Sequence, residues 1–196
     1  MTSQWVADLV PLAPDIVSAW RGIDEGRFLS VRREVRRRSG DGTAAGTVTQ
    51  LAATAAALRA IVLALPDEAF AMPGGEGDWN VAEAVGHVAS ARSGLVLAAS
   101  LAASDRWPAD APVVVPGVPG PTSVDRDGLA RKIDQSQRVI ERSARAIEGH
   151  ELDACLLEHP LVGRLRCGEW LLFAGVHDLM HLEQLHGIAE VVAGRK

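Results

Sequence analysis

Five of the chain's ten prolines fall between Pro108 and Pro121, in the run PADAPVVVPGVPGP. A helix loses a hydrogen bond and meets a steric clash at each such ring, and a central strand needs the N–H that proline lacks. The run is therefore expected to be a loop crossing the surface, and it divides the 196 residues into two helical halves.

Before it, Leu51, Ala55, Leu58, Ile61, Val62 and Leu65 recur at spacings of three and four, which predicts an amphipathic helix from about Thr47 to Leu65, ended by Pro66. A second helix opens at Asn80, a good N-cap, with Glu83 three places on in capping-box position, and continues to about Ser104. After the crossover, Leu129, Ile133, Val139, Ile140 and Ile147 among charges predict a third helix from about Val124 to Glu148. A fourth begins near Gly168 and stops at Gly194. No strand pattern stands out. The expected fold is all-α, a four-helix bundle over residues 44–196, in which ligand and metal sites are built between facing helices. Residues 1–43 fit the bundle less well and are expected to form an arm packed on it or on a second subunit. Their basic run RFLSVRREVRRR reads as a solvated face, with contact to nucleic acid or an acidic partner as the alternative.

Charge and composition narrow the function. A formal charge of -5 gives no global positive field for nucleic acid, and the absence of Tyr excludes phenolic acid or radical chemistry. The opening MTSQWVADLVPLAPD lacks the basic start and apolar run of a secretory signal, and the most apolar short stretch, Gly94 to Ala103, is about half of what a bilayer requires. Cys155 and Cys167 form no Cys-x-x-Cys pair, so a reducing cytoplasm is the expected compartment. Basic charge rests on eighteen Arg and two Lys, which with the abundant Ala reflects a coding bias rather than a function.

The histidines carry the chemistry. At about 100° per residue, His177 and His181 lie about 40° apart, stacked one turn from each other on helix four, and Trp170 and Gln184 share their face. His186 falls on the opposite side. A lone His-x3-His pair also fits one core and one surface histidine, so a third ligand decides. His87 is the candidate, because its face of helix two reads Asn80, Ala84, His87, Ala91, Gly94, Ala98, and small side chains leave space around an imidazole. Three neutral imidazoles suit Zn, Ni, Fe(II) or Cu and leave a coordination position open, which is a catalytic arrangement rather than a closed structural one. His150 at a helix end and His159 before Pro160 are expected to be structural. Asp178 and Glu183 lie off the His177 face and read as surface charges.

Two stretches resemble one family. DWNVAEAVGHV, from Asp78 to Val88, and HPLVGRLRCGEWLLFAGVHDLMHLEQL, from His159 onward, are similar to the paired signatures of the DinB-like superfamily of metal-binding four-helix bundles. The resemblance covers about Thr47 to Ala193. It implies an up-down-down-up bundle, frequent homodimers, and a divalent ion, Zn or Ni foremost and Fe or Mn next, on His87, His177 and His181. Relatives include thiol-dependent transferases and a mycothiol-dependent maleylpyruvate isomerase.

The expected function is a metal-dependent transferase or hydrolase acting on a small molecule, with a low-molecular-weight thiol as a possible second cofactor and neither nucleic acid nor membrane as partner. Trp170 and Gln184 are expected to line the pocket. Glu83 is a candidate base, set against its structural reading as a capping-box residue. Cys167, at a helix start where the dipole favours a thiolate, is set against a small residue near a cap. The alternatives are a metal-binding or stress-linked module without turnover, and a bundle whose histidines are satisfied by hydrogen bonds alone.

Overall fold

The computed structural model describes residues 3–24, 28–39, 42–75, 77–120 and 125–194. Four long helices make the bundle: α4 (Ala44–Ala64), α5 (Val81–Ala103), α6 (Arg126–Ser143) and α7 (Cys167–Ala193), following three short N-terminal helices. Three of them, α4, α5 and α6, start where a side chain satisfies an orphan N–H. Thr43 accepts from Gly46 N, and Asp125 from Gly128 N. Asn80 and Glu83 form the expected reciprocal box, at 2.9 and 2.8 Å. The third helix is shorter than expected, because a 3₁₀ turn at Ala144–Ala146 takes over from it; the predicted start at Val124 lies outside the described residues.

Both α4 and α5 pack on α6 and on α7, so α4 stands across the bundle from α5. By length and composition alone α4 and α5 are apolar enough to cross a membrane, a property the short Gly94–Ala103 window did not reveal. Their apolar faces, including Leu51, Leu58, Val85, Val96 and Ala99, form the bundle core.

The residues before the bundle belong to the same core. Helices α1 (Gln4–Leu9), α2 (Pro14–Arg21) and α3 (Phe28–Ser39) pack against α4 and α7 and bury Val6, Leu9, Ile16, Val17, Val31 and Val35. Ile16 fills the notch left by Gly175 on α7, where any Cβ would collide with it. Gln50 of α4 accepts from the N–H groups of Asp15 and Ile16 at 2.9 and 3.3 Å, holding the first turn of α2. The basic helix α3 directs Arg33 and Arg37 to the buried Glu34, and Arg36 to Glu169 at the start of α7.

One expectation is corrected. Two strands, β1 (Ala154–His159) and β2 (Gly163–Arg166), form an antiparallel hairpin just before α7. Cys155 and Leu157 point inward while Leu156 is exposed, so the apolar sequence ACLL hides the alternation that marks a strand. The proline run is an irregular strap, as expected, but it also borrows the edge of β1: Val115 N donates to Glu158 O at 2.8 Å, and Glu158 N to Val113 O at 2.6 Å. Gly120 then crosses α5 backbone to backbone at Gly86, and its N–H donates to Glu83 O.

Candidate metal centre

His87 on α5 and His177 and His181 on α7 come together, with one ring nitrogen from each within 4.8 Å of the others. His177 and His181 are buried and His87 is partly so. The spacing on α7 brings Nε2 of His177 to 3.3 Å from Nε2 of His181.

The other nitrogens are held from outside the cluster. His87 Nδ1 donates to the carbonyl of Val118 in the strap at 2.8 Å, and His181 Nδ1 donates to Gln184 Oε1 at 2.8 Å. Each bond fixes the proton on Nδ1 and turns Nε2 inward as a lone pair, the arrangement by which metal-ligating histidines are oriented. His177 Nδ1 is buried with no hydrogen-bond partner among the described residues. Hydrogen bonds among the described residues therefore leave this cluster incomplete at His177. Burial, and then the neighbouring His181 and His87, push the basicity of His177 well below that of a free imidazole. It stays neutral and able to coordinate at ordinary pH. Converging lone pairs, a neutral ring and fixed tautomers make a donor set that fits a divalent ion.

The cluster forms one end of a cavity of about 580 Å³ between α5, α7, the strap and the hairpin. Its floor on α5 is the small-residue face read from the sequence: His87, Ala91, Gly94 and Ala98 all line it. Trp79 packs at 4.9 Å from the His87 ring. His159 also lines the cavity, at the end of β1, a place not foreseen for it. Its Nδ1 accepts from Leu161 N at 3.1 Å, and burial and then His87 push its pKa down to about 4. The neutral ring therefore carries its proton on Nε2.

Other candidates occupy different places. Gln184 stands behind His181 rather than on the cavity wall. Trp170 is fully buried one layer deeper, against Phe173 at 5.8 Å, and is not among the cavity residues. Glu83 is engaged by the backbone N–H of Asn80 and does not line the cavity. Cys167 is buried, and its hydrogen bond to Cys155 and then desolvation push its thiol up, against the dipole effect expected at a helix start. His150 Nδ1 meets Asp153 Oδ2 at 2.8 Å in place of the helix carbonyls, and His186 stacks on Trp5 at 5.1 Å.

Asp178 is not a surface charge. It is fully buried and accepts from Arg92 Nε at 3.1 and 3.0 Å and from Thr54 Oγ1 at 2.6 Å. Arg92 also donates to Ser136 Oγ and to the carbonyl of Leu51, so this network ties all four bundle helices together. Burial pushes the Asp178 carboxyl upward, opposed by Arg92 and Thr54. Helical spacing gave its direction from the His177 face correctly, but α7 is buried on every side from Cys167 to Leu179 and has no solvent face there.

This all-α bundle with three converging histidines has the architecture of the metal-binding four-helix class. A family profile described as the DinB superfamily matches residues 50–185, and the chain belongs to that superfamily. No curated protein and no solved structure matched the chain.

Proposed function

We propose that the protein is a metal-dependent enzyme of the thiol-transferase or hydrolase type, acting on a small molecule in the apolar cavity. The observation that carries this reading is the convergence of three ring nitrogens, two of them oriented from behind by Val118 O and Gln184, on the end of that cavity. His87, His177 and His181 would hold the ion, with Zn or Ni first and Fe or Mn next. Bound there, a divalent ion supplies Lewis acidity and a lowered pKa for a water or a low-molecular-weight thiol.

The chain's own residues do the rest. The apolar walls exclude water and hold the substrate, which strengthens each polar contact at the histidine end. His159 offers an Nε2 proton on the same cavity wall, suited to donating to a substrate oxygen. The reading also takes the protein to be a cytoplasmic homodimer that binds neither nucleic acid nor membrane.

Elemental analysis of tag-free protein tests it. The wild type is expected to carry stoichiometric divalent metal and His181→Ala to lose it; wild-type protein without metal after reconstitution overturns the reading. A panel of thiol-dependent and hydrolytic reactions then separates an enzyme from a binding module, since His87→Ala should abolish turnover while leaving the helical circular dichroism intact.

A further inference from the structure

The cavity's chemistry is uneven along its length. His87, His159, His177 and His181 all belong to one end, and beyond Ser90 the wall on α5 offers only Ala91, Gly94, Leu95, Leu97, Ala98 and Leu101. Trp107 and the valines of the strap complete that part. Among the described residues lining the cavity there is no Lys, Arg, Asp or Glu. From His87 to Leu101 the helix rises about 21 Å, so the site is a slot rather than a sphere. Its volume of about 580 Å³ falls within the range of small-molecule sites, about 300–1,000 Å³. A Cβ placed on Gly94 meets nothing within 4 Å, so the middle of the slot is open space. The buried His177, with an unpartnered Nδ1, closes the polar end.

A carboxylate or phosphate placed on this wall beyond the histidine end would lose its hydration and find no counter-charge, a cost that excludes it from that part of the slot. We propose that the slot takes an elongated apolar substrate whose single polar group reaches the histidine end. This rests on the functional reading above and refines it: the apolar length of the slot belongs to the chain of the acceptor or ester, and any charged group is confined to the histidine end. Gly94 sets the length, because it stands about 10 Å along the helix from His87. A hexyl chain anchored at the histidines ends before it, whereas a decyl chain passes it.

Calorimetric titration of the purified full chain with hexanol, octanol and decanol tests the assignment. Affinity is expected to rise roughly tenfold for each two methylenes added. Gly94→Leu, which replaces a poor helix former with a good one, should weaken decanol binding by about tenfold or more and leave hexanol binding and metal content as in the wild type. Ala98→Leu, one turn further along, is the second variant should the first not fold. Decanol binding no tighter than hexanol binding, or unchanged decanol binding in a folded variant, overturns the proposal. Metal content is read separately, so a wild type without metal that still shows the chain-length series sinks the metal reading and keeps the slot.

Discussion

His177 and Asp178 are neighbours in sequence, yet they sit in two polar layers of opposite kind. The Asp178 layer is closed: Arg92, Thr54, Ser136 and the Leu51 carbonyl supply its partners, and both charges are fully buried. The His177 layer is open: it faces a cavity, and one ring nitrogen lacks a partner among the described residues. A buried polar group that is fully satisfied specifies how helices meet, whereas one left incomplete marks where something else binds. The two layers lie about 100° apart around α7 and share one helix to hold them in register. Assembly and chemistry are thus assigned to adjacent residues.

The closed layer breaks hardest. Arg92→Met leaves Asp178 buried without its cation, and urea unfolding is expected to show a loss of about 3–5 kcal/mol. Arg92→Met with Asp178→Leu removes both charges and should recover most of that loss while metal content stays stoichiometric. A double variant that folds but no longer binds metal would show that the layers are not separable. The open layer responds differently. Gln184→Leu removes the acceptor behind His181, and competition against a chromophoric chelator should show a 10–100-fold loss of metal affinity. The stability of the metal-free protein should change little.

Acid sharpens the contrast. His159 has its pKa pushed down from 6.5 to about 4, and His177 is also lowered. Between the His159 value and the unfolded pKa near 6.5, the unfolded chain binds more protons than the folded one, so stability rises with pH across that window. Taking the metal-free protein from pH 7 to pH 5 should lower its urea midpoint. His159→Phe, which keeps the ring against Phe173 without a titrating group, should make the decline shallower. An unchanged slope would show that His159 is not held neutral by its partly buried position on the cavity wall.

Sequence periodicity located the four bundle helices and the three histidines because both are properties of spacing along one element. The face Ala91, Gly94, Ala98 also announces open space in the sequence itself, and the cavity lies there. What spacing does not carry is the other side of a contact. Val118 orients His87 through a backbone carbonyl, which no side-chain pattern encodes. Asp178 read as a surface charge because its partner Arg92 lies 86 residues away. His159 read as structural because the hairpin that brings it to the cavity is six and four residues long, too short for a period-two signal over ACLL. The N-terminal helices join the core through shape, Ile16 against Gly175, and not through any motif.

The smallest expected effect concerns the residue with two competing roles. Glu83 stands one turn before His87, where a base would be useful, but its carboxylate accepts from Asn80 N at 2.8 Å and its carbonyl accepts from Gly120 N. If the box is its whole role, Glu83→Ala costs about 0.3–1.5 kcal/mol of stability, and Glu83→Gln, whose amide oxygen can accept the same bond, costs less. Metal content and turnover per bound metal should match the wild type in both. A base behaves otherwise, because Glu83→Gln would then keep the fold and the metal while turnover fell by about 10²–10⁴. The amide variant separates the two roles, since it preserves the hydrogen bond and removes only the ability to take a proton.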